Sequence, residues 1–376
     1  MENTSNTKLI LTHTPTPQQR SAGIALARAT FLLVGKSEHM AVAILDKQVV
    51  GVLIMGLNQL GQYPIGTLDY LAVKSGIKGQ GIGKQLVAHG MHYLQDLGAT
   101  LMVTTVQDDN VASWSLFTGQ GFVRTSFLKL AKQLGMVKAL RAQFYCVFMM
   151  FAGGDMYMKT TEPEQTALYE NQDATLVQLL VYLLTNMGLG LFFLSRNPAL
   201  GWQGLLPLLI VFLLFIFLGW LGTCWHRKHW QFRMPQGGWL VVGWVSIWQF
   251  WPMIANWYPR NYEPTPYFRR MMGLQSLTRW AGLLAIFVLL IDSGHHQVQG
   301  FIGHFLLFQC FSVTPFAAMG GRRVRDWSQG LFLLFASLSL GLIYLTTNHV
   351  GLIVFFSGLV LVGEIIRATQ RLSKVK

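Results

Sequence analysis

The chain has 376 residues, of which 52% are hydrophobic and 12% are charged, and its formal net charge is +13. This composition is too apolar for an ordinary soluble protein of two or three domains, so part of the chain is expected to lie in a membrane. The positive charge divides nearly equally between the two halves, which excludes a dedicated nucleic-acid-binding protein and favours phosphate groups and lipid headgroups as partners. Three widely spaced cysteines and a polar N-terminus, MENTSNTK, indicate a reducing cytosolic compartment and no signal peptide.

The first elements in chain order alternate between helix and strand signals. Residues 17–31 show a weak helical period, and residues 40–55 form two β-rich runs around the dipeptide Asp46-Lys47, which is typical of a hairpin. These signals, with the strands and helices described next, predict an α/β domain.

Residues 66–73, GTLDYLAV, predict a strand with one polar position. The period of two in a strand places that position, Asp69, on the same face as Leu71 and Val73. A carboxylate on an otherwise apolar strand marks Asp69 as a candidate functional residue.

A glycine-rich turn follows at residues 77–86, IKGQGIGKQL. Because Gly79, Gly81 and Gly83 alternate, the backbone can curl and direct several N–H groups into one concavity at the positive end of a helix beginning near Lys84. Such a turn suits a pyrophosphate, and a plain tight turn is the alternative. A Walker loop needs Ser or Thr after the lysine, and a dinucleotide fingerprint needs the spacing GxGxxG, so neither motif fits.

Three pieces of sequence follow one another at a characteristic spacing: LAV at residues 71–73, IKGQGIGKQL at 77–86, and N-x5-L-F-x3-G-F at 110–122. In this order they resemble the acetyl-CoA-binding core of the GNAT N-acetyltransferases, over roughly residues 8–160. The resemblance implies a mixed central sheet flanked by helices, with acetyl-CoA as the acyl donor and a primary amine as the acceptor.

The resemblance also implies which residues hold the cofactor. Lys78 stands where the family usually has Arg or Gln and would face a phosphate. The backbones of Leu71 and Val73 would pair with the pantetheine arm as an added strand would, and Asn110 would contact that arm. The pyrophosphate would accept hydrogen bonds from the N–H groups of Gly79, Gln80, Gly81, Ile82, Gly83 and Lys84.

The implied reaction is attack of a deprotonated amine on the thioester, which needs a base, an oxyanion donor and a proton for the leaving thiolate. Asp69 is the candidate base, directly or through a water, and the Val73 N–H is the implied oxyanion donor; alternatively, Asp69 is only a hydrogen-bonded residue at a strand splay. The usual acid of the family is a Tyr where this chain has Phe117. The thiolate then leaves with solvent help, Tyr70 substitutes, or the domain binds acyl-CoA without rapid turnover.

The domain boundaries follow from composition. Residues 126–149 form a basic amphipathic segment, which is interpreted either as a lid over the substrate side or as a helix on anionic lipid. A final strand is expected at residues 152–159. The polar, acidic composition of residues 161–175 indicates a linker. This linker separates an acetyl-CoA-binding domain at residues 1–160 from a membrane domain at residues 176–376.

The second half contains six apolar runs, each near the roughly 20 residues needed to cross a bilayer. The runs are residues 176–194, 205–225, 273–291, 298–318, 329–345 and 351–366. A seventh, Trp-rich run at residues 237–255 is assigned as re-entrant or interfacial, because only then do the basic loops and the C-terminal tail share the cytosolic side with the N-terminal domain. We therefore expect an all-α, multi-pass integral membrane domain.

Two strings in this half, HWQFRMPQGGWL and VTPFAAMGGRRVRDWS, resemble the membrane-embedded site-2 proteases. That family binds zinc with two His of an HExxH helix and an Asp, with the Glu as base. Here the HExxH position falls at residues 215–219, FIFLG, and Gly320 replaces the Asp, so the resemblance implies a scaffold without metal or protease activity. A buried pair between Arg279 and Glu364 is also expected.

The leading hypothesis is a membrane-tethered acyltransferase that moves an acetyl group from acetyl-CoA to a primary amine at the cytosolic membrane face. The alternative is a non-catalytic acyl-CoA sensor coupled to an inert protease-like scaffold, and a third option is transfer to a lipid or to a substrate delivered through the bundle. The sequence names neither the acceptor nor the oligomeric state.

Overall fold

A computed structural model of the chain has an N-terminal α/β domain followed by a helical bundle. The residues it describes are 9–28, 38–61, 63–108, 110–145, 153–170, 174–196, 200–226, 229–235, 237, 242–243, 246, 250–253, 255–259, 266–311, 320–347 and 350–375.

Seven of the described strands form one sheet in the order β1-β2-β3-β4-β5-β7-β6. They are β1 Ile10–Thr12, β2 His39–Leu45, β3 Gln48–Leu60, β4 Tyr63–Val73, β5 Leu101–Gln107, β6 Val123–Thr125 and β7 Gly154–Thr160. Neighbouring strands run antiparallel except for the parallel pair β4–β5. The mixed sheet confirms the predicted fold class of this domain.

Helices cover both faces of the sheet. They are α1 Pro17–Arg28, α2 Ile82–Asp96, α3 Val111–Thr118, α4 Phe127–Leu134, α5 Met136–Tyr145 and α6 Pro163–Ala167. One face packs on α2 through buried side chains such as Leu68 and Leu86. The opposite face packs on α1 through residues such as Tyr70, and on α4 and α5 through residues such as Ile65.

The predicted hairpin is confirmed, and its turn is strained. β2 and β3 pair from His39↔Met55 to Leu45↔Gln48, leaving Asp46 and Lys47 as the two-residue turn. Both turn residues have positive φ, 50° and 63°, as the tight turns that match strand twist require.

Two predictions about the end of this domain need correction. The amphipathic segment at 126–149 is two helices rather than one, because Gly135, with φ 83°, ends α4; residues 146–149 lie outside the described part. The predicted linker contains α6, which is packed rather than free: Thr166 Oγ1 accepts a 2.9 Å hydrogen bond from the Thr160 N–H.

Seven α-helices are described in the second half: α7 Thr175–Arg196, α8 Leu205–Leu221, α9 Pro266–Leu289, α10 His296–Gln309, α11 Gly321–Trp327, α12 Gln329–Thr347 and α13 Val350–Val375. Five segments of the described chain are long and apolar enough to cross a bilayer. These are Thr175–Arg196, Trp202–Trp225, Tyr267–Leu289, Gln329–Thr347 and Val350–Thr369, which correspond to five of the six predicted spans.

The remaining predicted span coincides with α10, which differs from the others. It has 14 residues, fewer than the roughly 20 that cross a bilayer. The end of the predicted run, residues 312–318, lies outside the described chain. Side chains on several sides of α10 are buried, among them Ile302, Phe305 and Phe308, so this helix forms the centre of the bundle. A count of six spans stays a prediction.

The two strands that flank the Trp-rich segment lie side by side. The strands β8 Trp230–Arg233 and β9 Asn256–Pro259 pair antiparallel, with Arg233 opposite Asn256, so the two ends of residues 234–255 meet. The described members of the segment include Phe250 and Trp251, which are buried among the helices. The re-entrant or interfacial assignment of this segment stays a prediction.

The expected pair between Arg279 and Glu364 is wrong. Arg279 Nη1 donates a 2.5 Å hydrogen bond to Asn256 Oδ1, and the guanidinium lies 4.0 Å from the centroid of the Phe215 ring. Glu364 instead accepts two hydrogen bonds of 2.7 Å from Arg325, because the short helix α11 brings Arg325 beside α13.

Candidate active site

The parallel pairing of β4 with β5 stops part-way along both strands. The register runs from Ile65↔Leu101 to Leu68↔Thr104, although both strands continue beyond that point. At the last pair, Thr104 Oγ1 donates a 2.7 Å hydrogen bond to the Leu68 carbonyl. Beyond it, the edge of β4 that faced β5 is left without this partner strand.

A β-bulge lies where the two strands separate. The register of β4 with β3 shifts from Ile54↔Tyr70 to Met55↔Leu68, which leaves Asp69 as the extra residue. Bulges bend a strand and redirect the side chain of the extra residue, and they are common beside active sites. The bulge therefore sets where the Asp69 carboxylate points.

The predicted common face of Asp69, Leu71 and Val73 is wrong, because the extra residue interrupts the alternation of side chains. Leu71 and Val73 face α2: their methyl carbons lie 3.7 and 3.8 Å from the position that a Cβ on Gly83 would take. Asp69 lies on the opposite face, where its Oδ2 accepts a 3.2 Å hydrogen bond from Thr67 Oγ1.

The backbone groups of Leu71 and Val73 point into the gap between the separated strands. The Lys74 N–H donates a 2.9 Å hydrogen bond to the Val50 carbonyl of β3. In an antiparallel ladder the bonded positions alternate, so Val73 and Leu71 direct their N–H and C=O groups away from β3. This edge can bind an extended ligand by main-chain hydrogen bonds.

The environment of Asp69 alters its acidity. Burial raises the pKa of Asp69 from 3.8 to about 6, and the hydrogen bond from Thr67 opposes part of that rise. A carboxylate with a pKa near 6 is mostly ionised at neutral pH and is a stronger base than an exposed aspartate. The site thus contains, at the point where the strands separate, a carboxylate whose pKa suits a general base.

The glycine-rich turn leads from β4 into α2. Gly79 and Gly81 have φ of 88° and 75°, and no atom lies within 4 Å of where a Cβ would stand at either position. Glycine is needed at both for its backbone conformation rather than for lack of space. Lys78 and Gln80 are exposed beside them.

The N-terminus of α2 offers donors to a ligand. The first helical hydrogen bond runs 3.0 Å from the Gln85 N–H to the Gly81 carbonyl. The N–H groups of Ile82, Gly83 and Lys84 precede that bond and lie at the positive end of the helix. Gly83 also allows close packing, since its Cβ would stand 3.2 Å from Leu116 of α3.

Asn110 begins α3. Its Oδ1 accepts a 3.3 Å hydrogen bond from the Ser113 N–H, which makes it the N-cap of the helix. The carbonyl oxygen of this side chain is therefore used in capping α3. The residue is exposed, and its predicted contact with the pantetheine arm stays a prediction.

The position of the usual acid is part of the core. Phe117 is 4% exposed and meets Phe122 edge-on, with 5.3 Å between ring centroids. Tyr70, the predicted substitute, is also buried, in the cluster beside α1 that includes Ala27 and Met40. The two aromatic residues thus lie in different cores on opposite faces of the sheet.

Comparison with known families decides the class of this domain. Residues 9–122 match the family described as Acetyltransferase (GNAT) family. They form a GNAT acetyltransferase domain. No curated protein matches the chain significantly. The family match ends at residue 122, so the site-2 protease resemblance of the second half stays a prediction.

Solved structures similar to the chain include other acetyltransferases. A chain of the NatC complex bound to Gag peptide and CoA is 15% identical, over 41% of this chain and 99% of that one, with a TM-score of 0.30. The IAA acetyltransferase from Bacillus cereus is 20% identical, over 32% and 79%, with a TM-score of 0.26. N-acetylglutamate synthase from Neisseria gonorrhoeae, complexed with coenzyme A and N-acetyl-glutamate, is 15% identical, over 42% and 36%, with a TM-score of 0.30.

Sequence reasoning misses the contacts between the GNAT domain and the helical half. Asp155 at the start of β7 is 1% exposed, and its Oδ2 lies 2.5 Å from Arg233 Nη2 of β8 and 3.0 Å from Arg124 Nε. Burial opposes ionisation of this carboxyl, but the two arginines hold the pKa of Asp155 below 3.8.

A second buried contact joins the end of β5 to α11. Arg323 Nη2 lies 2.6 Å from Asp108 Oδ2, and both side chains are 2% exposed. The positive-inside tendency predicts this arginine in a basic cytosolic loop. The available signal in the sequence is the run GRRVRD, which has three arginines in six residues.

No group of three or more His, Cys, Asp or Glu that could hold a metal ion occurs in the part of the chain that the structure describes. His226 Nδ1, one of the histidines near the end of α8, lies 3.0 Å from the hydroxyl of Tyr267 instead.

Proposed function

We propose that the chain is a membrane-tethered acetyltransferase that moves an acetyl group from acetyl-CoA to a primary amine at the cytosolic membrane face. The observation that carries this proposal is the separation of β4 from β5 after Leu68↔Thr104, followed directly by the glycine-rich turn. The gap gives an extended acyl-thioester arm main-chain partners, and the turn gives its pyrophosphate a set of N–H donors.

The cofactor would be held at three places. The N–H groups from Gly79 to Lys84 would bind the pyrophosphate, and the exposed Lys78 would face a phosphate. The main chain of Leu71 and Val73 would bond the pantetheine arm, with the Asn110 amide alongside.

The chemistry would use both faces of β4. Asp69, on the face of α1, α4 and α5, would take a proton from the acceptor amine. The amine nitrogen would attack the thioester carbonyl carbon, and the Val73 N–H would stabilise the oxyanion. The C–S bond then breaks, and because Phe117 has no hydroxyl, the thiolate would take its proton from solvent. The acceptor and acetyl-CoA would thus approach from different sides.

The bilayer is the second expected partner. The five candidate spans support membrane tethering. Helices α4 and α5, which cover the sheet on the Asp69 face, also expose apolar side chains between cations, and this pattern favours contact with anionic lipid. The exposed residues include Leu128, Lys132, Val137, Arg141 and Phe144.

A non-catalytic acyl-CoA sensor is the second candidate, and Phe117 is the observation that favours it. A domain that binds the cofactor but cannot protonate the thiolate efficiently would turn over slowly. In that case the membrane half would use the bound state as a signal. The cofactor site is the same in both proposals, so turnover separates them.

The test measures coenzyme A release by the purified full-length protein in detergent, with acetyl-CoA and a panel of primary amines. Asp69→Asn should lower turnover about 100-fold or more, because a lost general base costs that much, and should leave acetyl-CoA affinity unchanged. Asp46→Asn, on the exposed hairpin, is the matched control. A wild-type protein that binds acetyl-CoA but releases no coenzyme A with any amine would support the sensor instead.

A further inference from the structure

The turn between β5 and α3 fixes the position of Asn110. Its N–H donates a 3.0 Å hydrogen bond to the Gln107 carbonyl, and its side chain caps α3. Asp108 belongs to the same turn, and its N–H donates a 2.8 Å hydrogen bond to the carbonyl of Gly153, the residue before β7. A displacement of Gln107 or Asp108 would therefore move Asn110 and the start of α3.

Two adjacent arginines of α11 bind two adjacent residues of this turn. Arg322 Nη1 donates a 2.9 Å hydrogen bond to Gln107 Oε1, and Arg323 Nη2 donates one of 2.6 Å to Asp108 Oδ2. The Tyr258 hydroxyl of β9 donates to the same carboxylate oxygen and accepts a 2.7 Å hydrogen bond from Arg323 Nη2. The turn is thus held from the membrane half by direct hydrogen bonds.

Apolar packing continues this contact along α3. Val111 and Trp114, in the first turns of that helix, share a cluster with side chains of the membrane half. The partners are Tyr258, Phe268, Met271, Met272 and Trp230. The first turns of α3 therefore contact both β9 and the start of α9.

Helix α11 is itself attached to two candidate spans. Arg325 forms two hydrogen bonds of 2.7 Å with Glu364 of α13. Trp327 packs against Gly273 of α9, where a Cβ would stand 2.6 Å from the Trp327 Cβ. A shift of α9 or α13 would thus be transmitted to the arginines that hold the β5–α3 turn.

We propose that Asp108, Tyr258 and Arg323 are positioning residues through which the membrane helices set the affinity of the GNAT domain for acetyl-CoA. This inference rests on the proposed function, because it assumes that acetyl-CoA binds beside Asn110. The three polar groups are buried, so the arrangement has few alternatives: a displaced Arg323 would leave the Asp108 charge uncompensated. Coupling of this kind is reciprocal, so acetyl-CoA must in turn stabilise the contacts of α11.

The first experiment compares acetyl-CoA dissociation constants of full-length variants in detergent. Tyr258→Phe, which removes one hydroxyl, and Arg323→Met should each raise the dissociation constant about 10-fold, in the range of typical allosteric couplings. Arg323→Lys should recover part of the loss because it keeps the charge. Arg196→Met is the control, because this exposed arginine ends α7, far along the chain from the contact, and its guanidinium lies 5.6 Å from the centroid of the Phe192 ring of the same helix.

The second experiment needs no variant in the interface, so it stands even where Arg323→Met fails to fold. Hydrogen–deuterium exchange of residues 321–327 in the wild-type protein should slow several-fold when acetyl-CoA is added. Gly81→Glu, which places a carboxylate in the pyrophosphate turn, should abolish that slowing. If the contact were merely structural, acetyl-CoA would not change the hydrogen–deuterium exchange of α11.

The outcomes separate the two proposals. A wild-type protein that binds no acetyl-CoA overturns the proposed function and this inference with it. A wild-type protein that binds acetyl-CoA, with unchanged affinity in Tyr258→Phe and Arg323→Met and unchanged exchange of α11, overturns only the coupling. Weakened binding in both variants together with slowed exchange supports it.

Discussion

Thr67 and Asp69 lie on the same face of β4, and Thr67 Oγ1 donates a 3.2 Å hydrogen bond to Asp69 Oδ2. Because of the bulge at Asp69, this hydrogen bond lies where the pairing of β4 with β5 ends. The hydrogen bond favours the ionised carboxylate, whereas burial favours the neutral form and dominates, so the pKa of Asp69 rises to about 6.

The pH dependence of turnover follows from this pKa. If Asp69 is the base, kcat/KM should rise with pH through a limb near pH 6, because the carboxylate must be ionised to accept a proton. Asp69→Asn should remove that limb and lower kcat/KM, whereas Asp46→Asn should keep it. Steady-state rates between pH 5 and 9 measure both. A limb near pH 6 that persists in Asp69→Asn would assign it to another group.

The free energy of unfolding should fall as pH rises, whereas kcat/KM should rise. The folded pKa of Asp69 lies above its unfolded value of 3.8, so the fold loses stability as pH rises from about 4 to about 6. At neutral pH the neutral Asp69→Asn side chain should therefore raise the free energy of unfolding, by about 1–3 kcal/mol. Thermal unfolding at pH 7.5 and at pH 4 measures this. The gain should shrink at pH 4, and an equal gain at both pH values would contradict the account.

The buried ion pairs of Asp155 should contribute more to the free energy of unfolding than an exposed ion pair does. Asp155→Asn leaves Arg124 and Arg233 buried beside a neutral group and should cost about 3–5 kcal/mol of stability. Because the pKa of Asp155 is lowered, this contribution is present above about pH 4 and is lost as pH falls through the folded pKa.

The control for this prediction is Asp326→Asn. The Asp326 side chain is 36% exposed and pairs with Arg322 at 3.3 Å and with Arg367 at 2.9 Å. Because these pairs are in contact with solvent, their loss should cost about 1 kcal/mol or less. Thermal unfolding of the two variants in detergent gives the comparison. Equal costs would mean that the buried pair between the domains adds nothing beyond a surface contact.

The hairpin turn offers a stabilising change. Lys47 adopts φ 63°, which costs a residue with a Cβ more than it costs glycine. Lys47→Gly should raise the free energy of unfolding by about 1 kcal/mol, and Lys47→Ala, which keeps the Cβ, should not. Thermal unfolding of both variants checks this, and equal midpoints would show that the turn is unstrained.

Local patterns predict much of the GNAT domain. The strand, glycine turn and helix at residues 66–97 follow from composition and from the special backbone freedom of glycine. The bulge at Asp69 cannot be predicted in this way, because an apolar run looks the same with or without one extra residue in the strand. The extra residue reverses the sheet face of every side chain beyond it.

Contacts across the chain are the other part that sequence reasoning does not supply. Arg233 and Asp155 are 78 positions apart, and Arg323 and Asp108 are 215 apart, so their pairing depends on how the two halves dock. Hydropathy identifies α10 as apolar but cannot distinguish a short buried helix from a span. The Arg279–Glu364 prediction is wrong because a buried charge requires a partner, but the sequence does not show which residue packs beside it.

Acetyl-CoA binding at the turn between β4 and α2 underlies both proposals. Its most direct test is the acetyl-CoA dissociation constant of full-length wild type, Gly81→Glu and Gly98→Glu, measured by calorimetry in detergent. Gly98 is a matched control, because it lies just beyond the other end of α2 and also has positive φ, 91°, with open space around it. Wild type and Gly98→Glu should bind acetyl-CoA alike, and Gly81→Glu should bind it at least about 100-fold more weakly, because the new carboxylate repels the pyrophosphate. Equal affinity of all three proteins would show that acetyl-CoA does not bind at this turn.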